Sequence, residues 1–270
     1  MSLPNVAVII SNYNYGDFVL DAVESALKQD YEGKLRIYLI DDGSSDGSYE
    51  KLLAYAGEDV SSVTDTHQVT KPYYNGEMKL FQCSDLNLWC YHINNSGAST
   101  ARNVAIWEAW QWADVFAILD ADDTYSENKV SKQVAKLIEY DEVGVTYSDY
   151  IIYKKYEYKY PYSKFEIERQ CIVHSAGLIK KKYLSQVLLD NEEFYDSNLH
   201  GPASSGFIGC TEDYDLWLRL SNICMMCHLP EPLSSVKETG MNQSMKMTAE
   251  IFQDNAQKIR KRNEQIHSKN

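Results

Sequence analysis

Four short, mainly apolar runs in the first 120 residues each end in a polar motif. The runs are Val6–Ile10, Arg36–Ile40, Trp89–Ile93 and Val115–Leu119. Apolar runs without alternation are typical of strands that are buried on both faces of a parallel sheet. The pattern therefore predicts parallel strands with polar side chains at the carboxyl end of each strand.

Between these runs, apolar residues recur at helical spacing. One stripe predicts a helix over 17–29, and a second, from Ala101 to Trp112, predicts another. A third stripe of Val130, Val134, Leu137 and Ile138 predicts a helix with Ser126 as its N-cap. The first 140 residues thus read as alternating strands and helices, an arrangement that binds ligands beyond the carboxyl ends of its strands.

The pattern changes in two other parts of the chain. Residues 57–88 interrupt it, and we interpret them as a surface insertion with an extra strand or hairpin. Val145–Tyr153 and Tyr156–Phe165 are rich in tyrosine and predict an antiparallel excursion. These tyrosines suit strands, and they equally suit stacking on sugars. Further helices are predicted over 180–189, over 211–222 and from about 247.

Composition narrows the class of protein. The chain has 270 residues, 44% hydrophobic and 24% charged, which suits one large α/β domain or two small ones. Its net charge of −13 disfavours a nucleic-acid-binding protein. An acidic chain that binds phosphates usually needs a local cation such as a metal ion. The sequence has no apolar run of about 18 residues, the length that a transmembrane helix needs, and no recognisable signal peptide. We therefore expect a cytoplasmic protein.

Two features near the carboxyl end have a structural and a functional interpretation. Cys224 and Cys227 form a CxxC pair, but His228 adds only one donor, so buried thiols are favoured over zinc. The predicted last helix ends in a basic run of Lys258, Arg260, Lys261 and Arg262. A solvated helix end is the favoured interpretation, and weak contact with an anionic membrane is the alternative.

The acidic motif Asp120-Ala121-Asp122-Asp123 directly follows a predicted buried strand. Carboxylates this close repel one another, and a divalent cation removes that cost. Mg²⁺ and Mn²⁺ prefer oxygen ligands and bridge carboxylates to substrate phosphates. A helix N-cap explains one of these aspartates but not three, so we expect a metal site.

Polar residues at the other strand ends suit a nucleotide. Asp42 could accept hydrogen bonds from a base or a ribose, and Tyr13 could stack on a base. Gly97 permits close backbone approach, and Arg102 could reach a phosphate or a motif aspartate. The glycine-rich motifs of dinucleotide oxidoreductases and of P-loop NTPases are absent from the sequence.

Asp213 lies in the first turn of the predicted helix over 211–222, for which Thr211 is a natural N-cap. With Leu216, Trp217 and Leu220 it forms one stripe, which predicts that its carboxylate points inward, whereas Glu212, Asp215 and Arg219 lie on another face. The helix dipole keeps such a carboxylate ionised. Asp213 is therefore a candidate general base, and a capping role is the alternative.

Together these motifs resemble the inverting family-2 glycosyltransferases with the GT-A fold, over about residues 5–245. The motifs, in chain order, are Val8-Ile9-Ile10-Ser11-Asn12-Tyr13-Asn14, Ile40-Asp41-Asp42-Gly43-Ser44, Asn95-Ser96-Gly97 with Ala101-Arg102-Asn103, Leu119-Asp120-Ala121-Asp122-Asp123, His174-Ser175-Ala176-Gly177-Leu178-Ile179, Glu212-Asp213-Tyr214-Asp215-Leu216-Trp217-Leu218-Arg219-Leu220 and Pro230-Glu231-Pro232-Leu233. The resemblance implies a mostly parallel central sheet with helices on both faces and a small antiparallel excursion on the acceptor side.

The resemblance also implies a domain division. It gives a single GT-A domain over 1–245, made of a nucleotide-binding half over 1–140 and an acceptor-side half over 141–245. Residues 57–88 are the insertion, and a C-terminal helix occupies 246–270.

The resemblance assigns roles to individual residues. Asp120 and Asp122 would bind Mn²⁺ or Mg²⁺ and the diphosphate, and Asp213 would be the catalytic base. Asp42 would bind the base, and Ser11 and Tyr13 would supply contacts from the first loop.

The expected reaction is transfer of a sugar from a UDP-sugar to a glycan or other hydroxyl acceptor. Two alternatives are a sugar-nucleotide-binding module without activity and a sugar nucleotidyltransferase. The intact Asp213 argues against the first, because binding alone does not require it. The second should have a glycine-rich, basic first loop, which this chain lacks.

Overall fold

Strands and helices alternate in the computed structural model, which describes residues 2–57, 66–152, 154–173, 175–199, 211–237, 239 and 248–267. The strands are β1 Val6–Asn12, β2 Leu35–Asp41, β3 Thr66–Lys71, β4 Tyr74–Cys83, β5 Leu88–Ile93, β6 Val115–Asp120, β7 Asp123–Tyr125, β8 Val143–Ile152, β9 Lys155–Glu157, β10 Leu178–Lys180 and β11 Met225–Val236. The helices are α1 Val19–Leu27, α2 Ser48–Tyr55, α3 Ala98–Ala109, α4 Lys129–Glu139, α5 Lys164–Ile167, α6 Lys181–Leu184, α7 Glu212–Ser221 and α8 Ala249–His267.

One mixed sheet runs through the described part of the chain. Its strand order is β3-β4-β5-β2-β1-β6-β10-β8-β11-β7, and β9 pairs with β8. The predicted parallel strands form its centre, where β1 lies between β2 and β6 and β5 follows β2. The expected α/β class is confirmed, but parallel pairing is confined to this centre and to β8 with β11. Antiparallel β10 joins the two parallel parts.

The central strands are apolar throughout because both faces of the sheet are covered. On β1, Ile9 packs into the core that contains residues of α3 and α7, while Val8 and Ile10 pack into the core that contains residues of α1, α2 and α4. Successive side chains of a strand point to opposite faces, so a strand covered on both faces needs apolar residues at every position.

The helix α4 departs from its predicted stripe. It begins at Lys129 after Asn128, and Ser126 instead bonds to the backbone of Pro232 and Leu233. Ile138, predicted to be buried, is 51% exposed. The buried face consists of Lys129, Val130, Gln133, Val134 and Leu137. The prediction of Ser126 as N-cap and of Ile138 in the stripe is wrong, because the helix begins three residues after Ser126 and its buried face is turned toward Lys129 and Gln133.

The two predicted irregular regions extend the sheet. Within residues 57–88, β3 and β4 form the predicted hairpin, and β4 pairs antiparallel with β5. Antiparallel pairing of β8 with β9 confirms the tyrosine-rich excursion in part, because β9 ends at Glu157 and Phe165 lies in α5. Tyr153 lies outside the described residues. The helix expected over 180–189 is shorter: α6 ends at Leu184 and a 3₁₀ turn, Ser185–Val187, follows.

Lys129 is completely buried between α4 and β8. Its Nζ lies 3.5 Å from Ser148 Oγ and 5.0 Å from the centroid of the Tyr125 ring. Burial lowers the pKa of Lys129 from 10.5 to about 7, because the apolar surroundings disfavour the ammonium form.

We expect this lysine to make stability depend on pH. Between about pH 7 and its ordinary pKa, the unfolded chain holds a proton that the folded chain lacks, so stability rises with pH by up to about 1.4 kcal/mol per unit. Below about pH 7 both states are protonated and the slope vanishes. Lys129→Met should be more stable than the parent near pH 7 and lose this part of the slope. Urea unfolding of both proteins from about pH 7 to about pH 9 measures the difference; parallel curves would contradict the prediction.

Candidate functional site

Four central strands bring their polar motifs to one edge of the sheet. The register places Ser11 beside Asp120 on one side and Ile40 on the other, and it pairs Asp41 with His92 on β5. The loops that follow these strands carry Tyr13, Asp42 and Gly97. The structure thus assembles the motifs at a shared edge, as the alternation of strands and helices predicts.

Asp42 orders the loop before α3. Its carboxylate accepts hydrogen bonds from the backbone N–H groups of Ser96 and Gly97, at 2.7 and 2.8 Å. Gly97 has a φ of 90° at the helix start, in the left-handed region that favours glycine. Asp42 therefore shapes the candidate nucleotide loop from within, and its direct contact with a nucleotide stays a prediction.

Asp41, which the motifs did not single out, connects β2 to the two neighbouring strands. It is fully buried, accepts a hydrogen bond from Asn12 Nδ2 at 2.7 Å and lies 2.8 Å from His92 Nδ1. Gly43 follows with a φ of 72°, and a Cβ there would lie 2.8 Å from the backbone nitrogen of Asn95. Asp41 and Gly43 hold three adjacent strand ends together.

Tyr13 is free to meet a planar ligand, since 48% of its surface is exposed. The next residue, Asn14, has a φ of 59° and is held by hydrogen bonds with Ser44 Oγ at 2.9 Å and with the N–H of Ser45 at 2.8 Å. The first two strand-end loops are therefore bonded to each other, which fixes the backbone that presents the Tyr13 ring.

The acidic motif carries more negative charge than its protein neighbours offset. Asp120 is 28% exposed, whereas Asp122 and Asp123 are buried. Burial and the charge of Asp120 raise the pKa of Asp122 to about 7, although Tyr15 and Arg102 oppose that rise. Burial, Asp120 and Asp122 also raise the pKa of Asp123. A cation at Asp120 and Asp122 would relieve this repulsion.

The carboxylates fit a metal that substrate helps to hold. Within the described ranges, no three His, Cys, Asp or Glu side chains are placed to hold an ion by themselves. Mg²⁺ and Mn²⁺ sites that bind nucleotides need only one or two carboxylates, because phosphate oxygens complete the coordination. Asp120 and Asp122 meet that requirement.

Cys224 and Cys227 are free thiols, and burial raises the pKa of Cys224 to about 12, as expected for a structural cysteine.

Arg102 joins the acidic motif to the candidate base. From α3 its Nη2 donates to Asp120 Oδ1 at 2.7 Å, and its Nη1 donates to Glu212 Oε1 at 2.9 Å. The same Nη1 lies 3.6 Å from Asp213 Oδ1. Burial alone would lower the pKa of Arg102, but the carboxylates of Asp213, Asp120 and Glu212 raise it well above its usual value. Arg102 reaches the motif aspartate, one of its two predicted targets.

The two acids that begin α7 differ in exposure. The side chain of Asp213 is 19% exposed, whereas that of Glu212 is 1% exposed. The predicted apolar stripe below Asp213 is buried, but the opposite face is buried too, because Asp215 and Arg219 bond to each other inside the protein. Thr211 is the N-cap residue but makes no capping hydrogen bond through its side chain. Of the two acids, Asp213 is the one that an acceptor can approach.

Three residues support this arrangement without having been predicted to do so. Ser175 Oγ donates to Asp120 Oδ2 at 2.8 Å, and the Arg102 guanidinium lies 5.3 Å from the centroid of the buried Tyr195 ring. Asn103 accepts the N–H groups of Phe194 and Tyr195, at 3.0 and 2.9 Å. The adjacency of Arg102 and Asn103 was the available signal, because consecutive polar residues inside an apolar helix need buried partners.

The two arginines of the basic run in α8 face the protein, whereas Lys258 and Lys261 are exposed. Arg262 pairs with Asp196 and Asp215, and Arg260 Nη1 donates to Tyr214 OH at 3.3 Å. The prediction of a solvated basic end is thus wrong for Arg260 and Arg262, which are engaged by α7 and its neighbouring loop and are unsuited to hold a membrane. Among the described helices, none combines the length and the apolar character needed to span a bilayer.

Solved structures share the fold. TarS from S. aureus in complex with UDP-GlcNAc superposes with a TM-score of 0.63 at 14% identity, over 91% of this chain and 62% of that chain. The mannosyltransferase PcManGT from Pyrobaculum calidifontis, in complex with GDP-Man and Mn²⁺, superposes with a TM-score of 0.55 at 17% identity, over 87% of this chain and 56% of that chain. At such identities the likeness concerns the fold, and it confirms the expected GT-A architecture.

Sequence relatives point the same way. An uncharacterized glycosyltransferase of Rickettsia felis is 25% identical over 82% of this chain but only 32% of its own length. The putative teichuronic acid biosynthesis glycosyltransferase TuaG of Bacillus subtilis is 30% identical over 50% of this chain and 43% of its own. The sequence model of glycosyl transferase family 2 matches residues 7–72 and 61–197. From the fold, the assembled motifs and this match, the chain belongs to glycosyl transferase family 2.

Proposed function

We propose that this chain is a metal-dependent inverting glycosyltransferase that moves a sugar from a nucleotide-diphosphate sugar to an acceptor hydroxyl in polysaccharide synthesis. The arrangement around Arg102 carries the proposal. One guanidinium contacts Asp120, the candidate ligand of the donor site, and approaches Asp213, the candidate base. A donor held at Asp120 would therefore place its reacting sugar near a carboxylate that is partly open to solvent.

The donor is a UDP-sugar in this proposal. The TarS structure is a complex with UDP-GlcNAc and the PcManGT structure a complex with GDP-Man, so both neighbours hold a sugar linked to a nucleoside diphosphate. In this chain Tyr13 would stack on the base and Asp42 would accept from the base or ribose. Ser11 and Gly97 lie at the same edge, with Gly97 allowing a phosphate to approach the backbone.

The metal would be held by Asp120 and Asp122. When bound, Mn²⁺ or Mg²⁺ supplies positive charge that stabilises the leaving diphosphate. Arg102 donates to one oxygen of the Asp120 carboxylate, and Ser175 donates to the other. These contacts hold Asp120 in one position before a donor arrives, which lowers the cost of ordering the site.

Asp213 would accept the proton of the acceptor hydroxyl. The oxygen then attacks the anomeric carbon from the face opposite the diphosphate, the bond to the diphosphate breaks, and the configuration inverts. One displacement needs one base and no enzymic nucleophile. The partly exposed position of Asp213 beside Arg102 favours this activity over a binding module, in which the carboxylate would have no role.

Asp122→Asn tests the metal site. We expect the parent to bind UDP more tightly with Mn²⁺ than in EDTA, and the variant to lose about ten-fold or more of the affinity with Mn²⁺. Calorimetry measures both. Asp141→Asn is the matched control, because Asp141 is an exposed aspartate that pairs with Lys182 away from the site. Equal UDP affinity of the parent with Mn²⁺ and in EDTA would refute the metal dependence.

A further inference from the structure

A cleft beside the tyrosine-rich excursion of β8 and β9 lies outside the site that the proposed transfer uses. It has a volume of about 640 Å³ and lies between the first parts of β8 and β11 and the segment 158–162. That volume is in the range of small-molecule sites. Tyr140, Tyr158 and Met225 form exposed walls, and Tyr158 is 76% exposed.

The cleft is held in shape by a buried carboxylate. Asp149 on β8 lies 2.8 Å from His228 Nε2 on β11 and accepts hydrogen bonds from Tyr156 OH at 2.9 Å and from the N–H of Lys159 at 2.6 Å. Tyr147 OH donates to the carbonyl of Tyr160 at 2.6 Å. The backbone that carries Tyr158 is therefore bonded to the sheet without a ligand, which lowers the cost of ordering this segment on binding.

The strand register connects the cleft with the transfer site. Leu178 on β10 pairs with Ala117 on β6 and with Thr146 on β8. Counting three residues along each parallel strand places Asp149 level with Asp120, two strands away, or about 10 Å. From that level the cleft extends back along β8 to Val143. A bound chain would have to leave the cleft at its Asp149 end to reach the edge that carries the acidic motif.

The lining matches a carbohydrate. A sugar ring has apolar C–H faces, which pack on aromatic rings, and hydroxyl groups, which need hydrogen-bond partners. The cleft offers tyrosine faces with their hydroxyls, and Glu142 lies in its lining as an acid, whereas the Lys159 ammonium lies over the Tyr150 ring, 5.3 Å from its centroid. A nucleic acid or an anionic lipid surface would require a cluster of basic side chains instead.

We propose that this cleft binds a segment of the acceptor carbohydrate chain several units away from the hydroxyl that receives the sugar. The inference rests on the proposed function for the direction of the chain, but binding itself can be measured without donor or metal. Tyr140 and Tyr158 supply the stacking surfaces, and Glu142 and the tyrosine hydroxyls supply polar contacts. The tyrosine-rich sequence thus serves sugar stacking as well as strand formation.

The experiment is saturation-transfer NMR with chitohexaose, cellohexaose, maltohexaose and α-1,6-mannohexaose at millimolar concentration, without nucleotide. We expect at least one hexasaccharide to bind the parent, and Tyr158→Ala and Tyr140→Ala each to weaken it by about five-fold. Tyr158→Phe should retain most of the binding. Phe165→Ala, which removes another exposed aromatic ring from outside the cleft, should bind like the parent.

Each contrary outcome is decisive. If no hexasaccharide binds the parent, or if Tyr158→Ala and Phe165→Ala behave alike, the proposal is wrong. If sedimentation shows a parent dimer that Tyr158→Ala dissociates, the cleft is a protein interface and the proposal is also wrong. UDP calorimetry on the same preparations separates this proposal from the proposed function. If the parent binds a hexasaccharide but does not bind UDP, the proposed function alone is wrong.

Discussion

The Asp213→Asn variant is expected to transfer sugar about 100-fold more slowly than the parent, with its affinity for UDP and Mn²⁺ unchanged. Asparagine has nearly the same shape but cannot accept the proton of the acceptor hydroxyl. Arg102 keeps hydrogen bonds to Asp120 and Glu212, so the fold and the donor site should persist. The measurement is the rate of acceptor-dependent UDP release, with UDP affinity determined by calorimetry.

Glu212→Gln is the matched control for this prediction. Glu212 is buried and accepts a hydrogen bond from Arg102, so the variant changes the charge beside the site without altering a group that an acceptor can reach. Its transfer rate should fall less than that of Asp213→Asn, although its stability should fall. Loss of transfer in Glu212→Gln with full transfer in Asp213→Asn would move the base to Glu212.

The second large effect is on stability. We expect Arg102→Met to destabilise the fold by about 3–5 kcal/mol, because removing one partner of a buried ion pair leaves an uncompensated charge. Here the buried Glu212 loses its cation, and Asp120 and Asp213 lose a neighbouring positive charge. Urea unfolding measures the change. The double variant Arg102→Met/Glu212→Gln should recover part of the lost stability, because it removes the buried charge as well.

Arg36→Met provides the comparison. Arg36 stacks between Trp89 and Trp112, with its Cζ 4.4 and 4.3 Å from the ring centroids. Its loss should cost about 1 kcal/mol, the usual scale for a cation–π contact near the surface. Similar costs for Arg36→Met and Arg102→Met would show that the acidic residues around Arg102 do not depend on its charge.

The centre of the fold was predictable because both faces of its strands are covered. The apolar runs that contain Val8 and Ile118 have no polar interruption, and each ends where the chain leaves the sheet. The prediction failed where polar residues are buried. Lys129 and Gln133 replace apolar residues on the inner face of α4, and no periodicity of apolar residues can reveal such positions.

The strand-end positions of the site residues followed from the pattern, but their partners did not. Arg102 and Glu212 are 110 residues apart and meet only because α3 and α7 contribute to the same core on one face of the sheet. Likewise, Asp41 and Asp42 are adjacent carboxylates, yet one bonds to neighbouring strands and the other to the loop before α3. The partner of each acid is set by strand ends and helices that are distant from it in sequence. The sequence pattern around two neighbouring acids therefore does not show which of them turns inward.

The hairpin of β3 and β4 forms one edge of the sheet and limits its association with other chains. β3 is an outermost strand, and exposed strand edges are templates for edge-to-edge aggregation. Its side chains are mostly exposed and polar, and Val69 is its single apolar residue. A second chain that paired with this border would gain backbone hydrogen bonds but bury almost no apolar surface. The hairpin therefore protects the apolar central strands from association with other copies along that side.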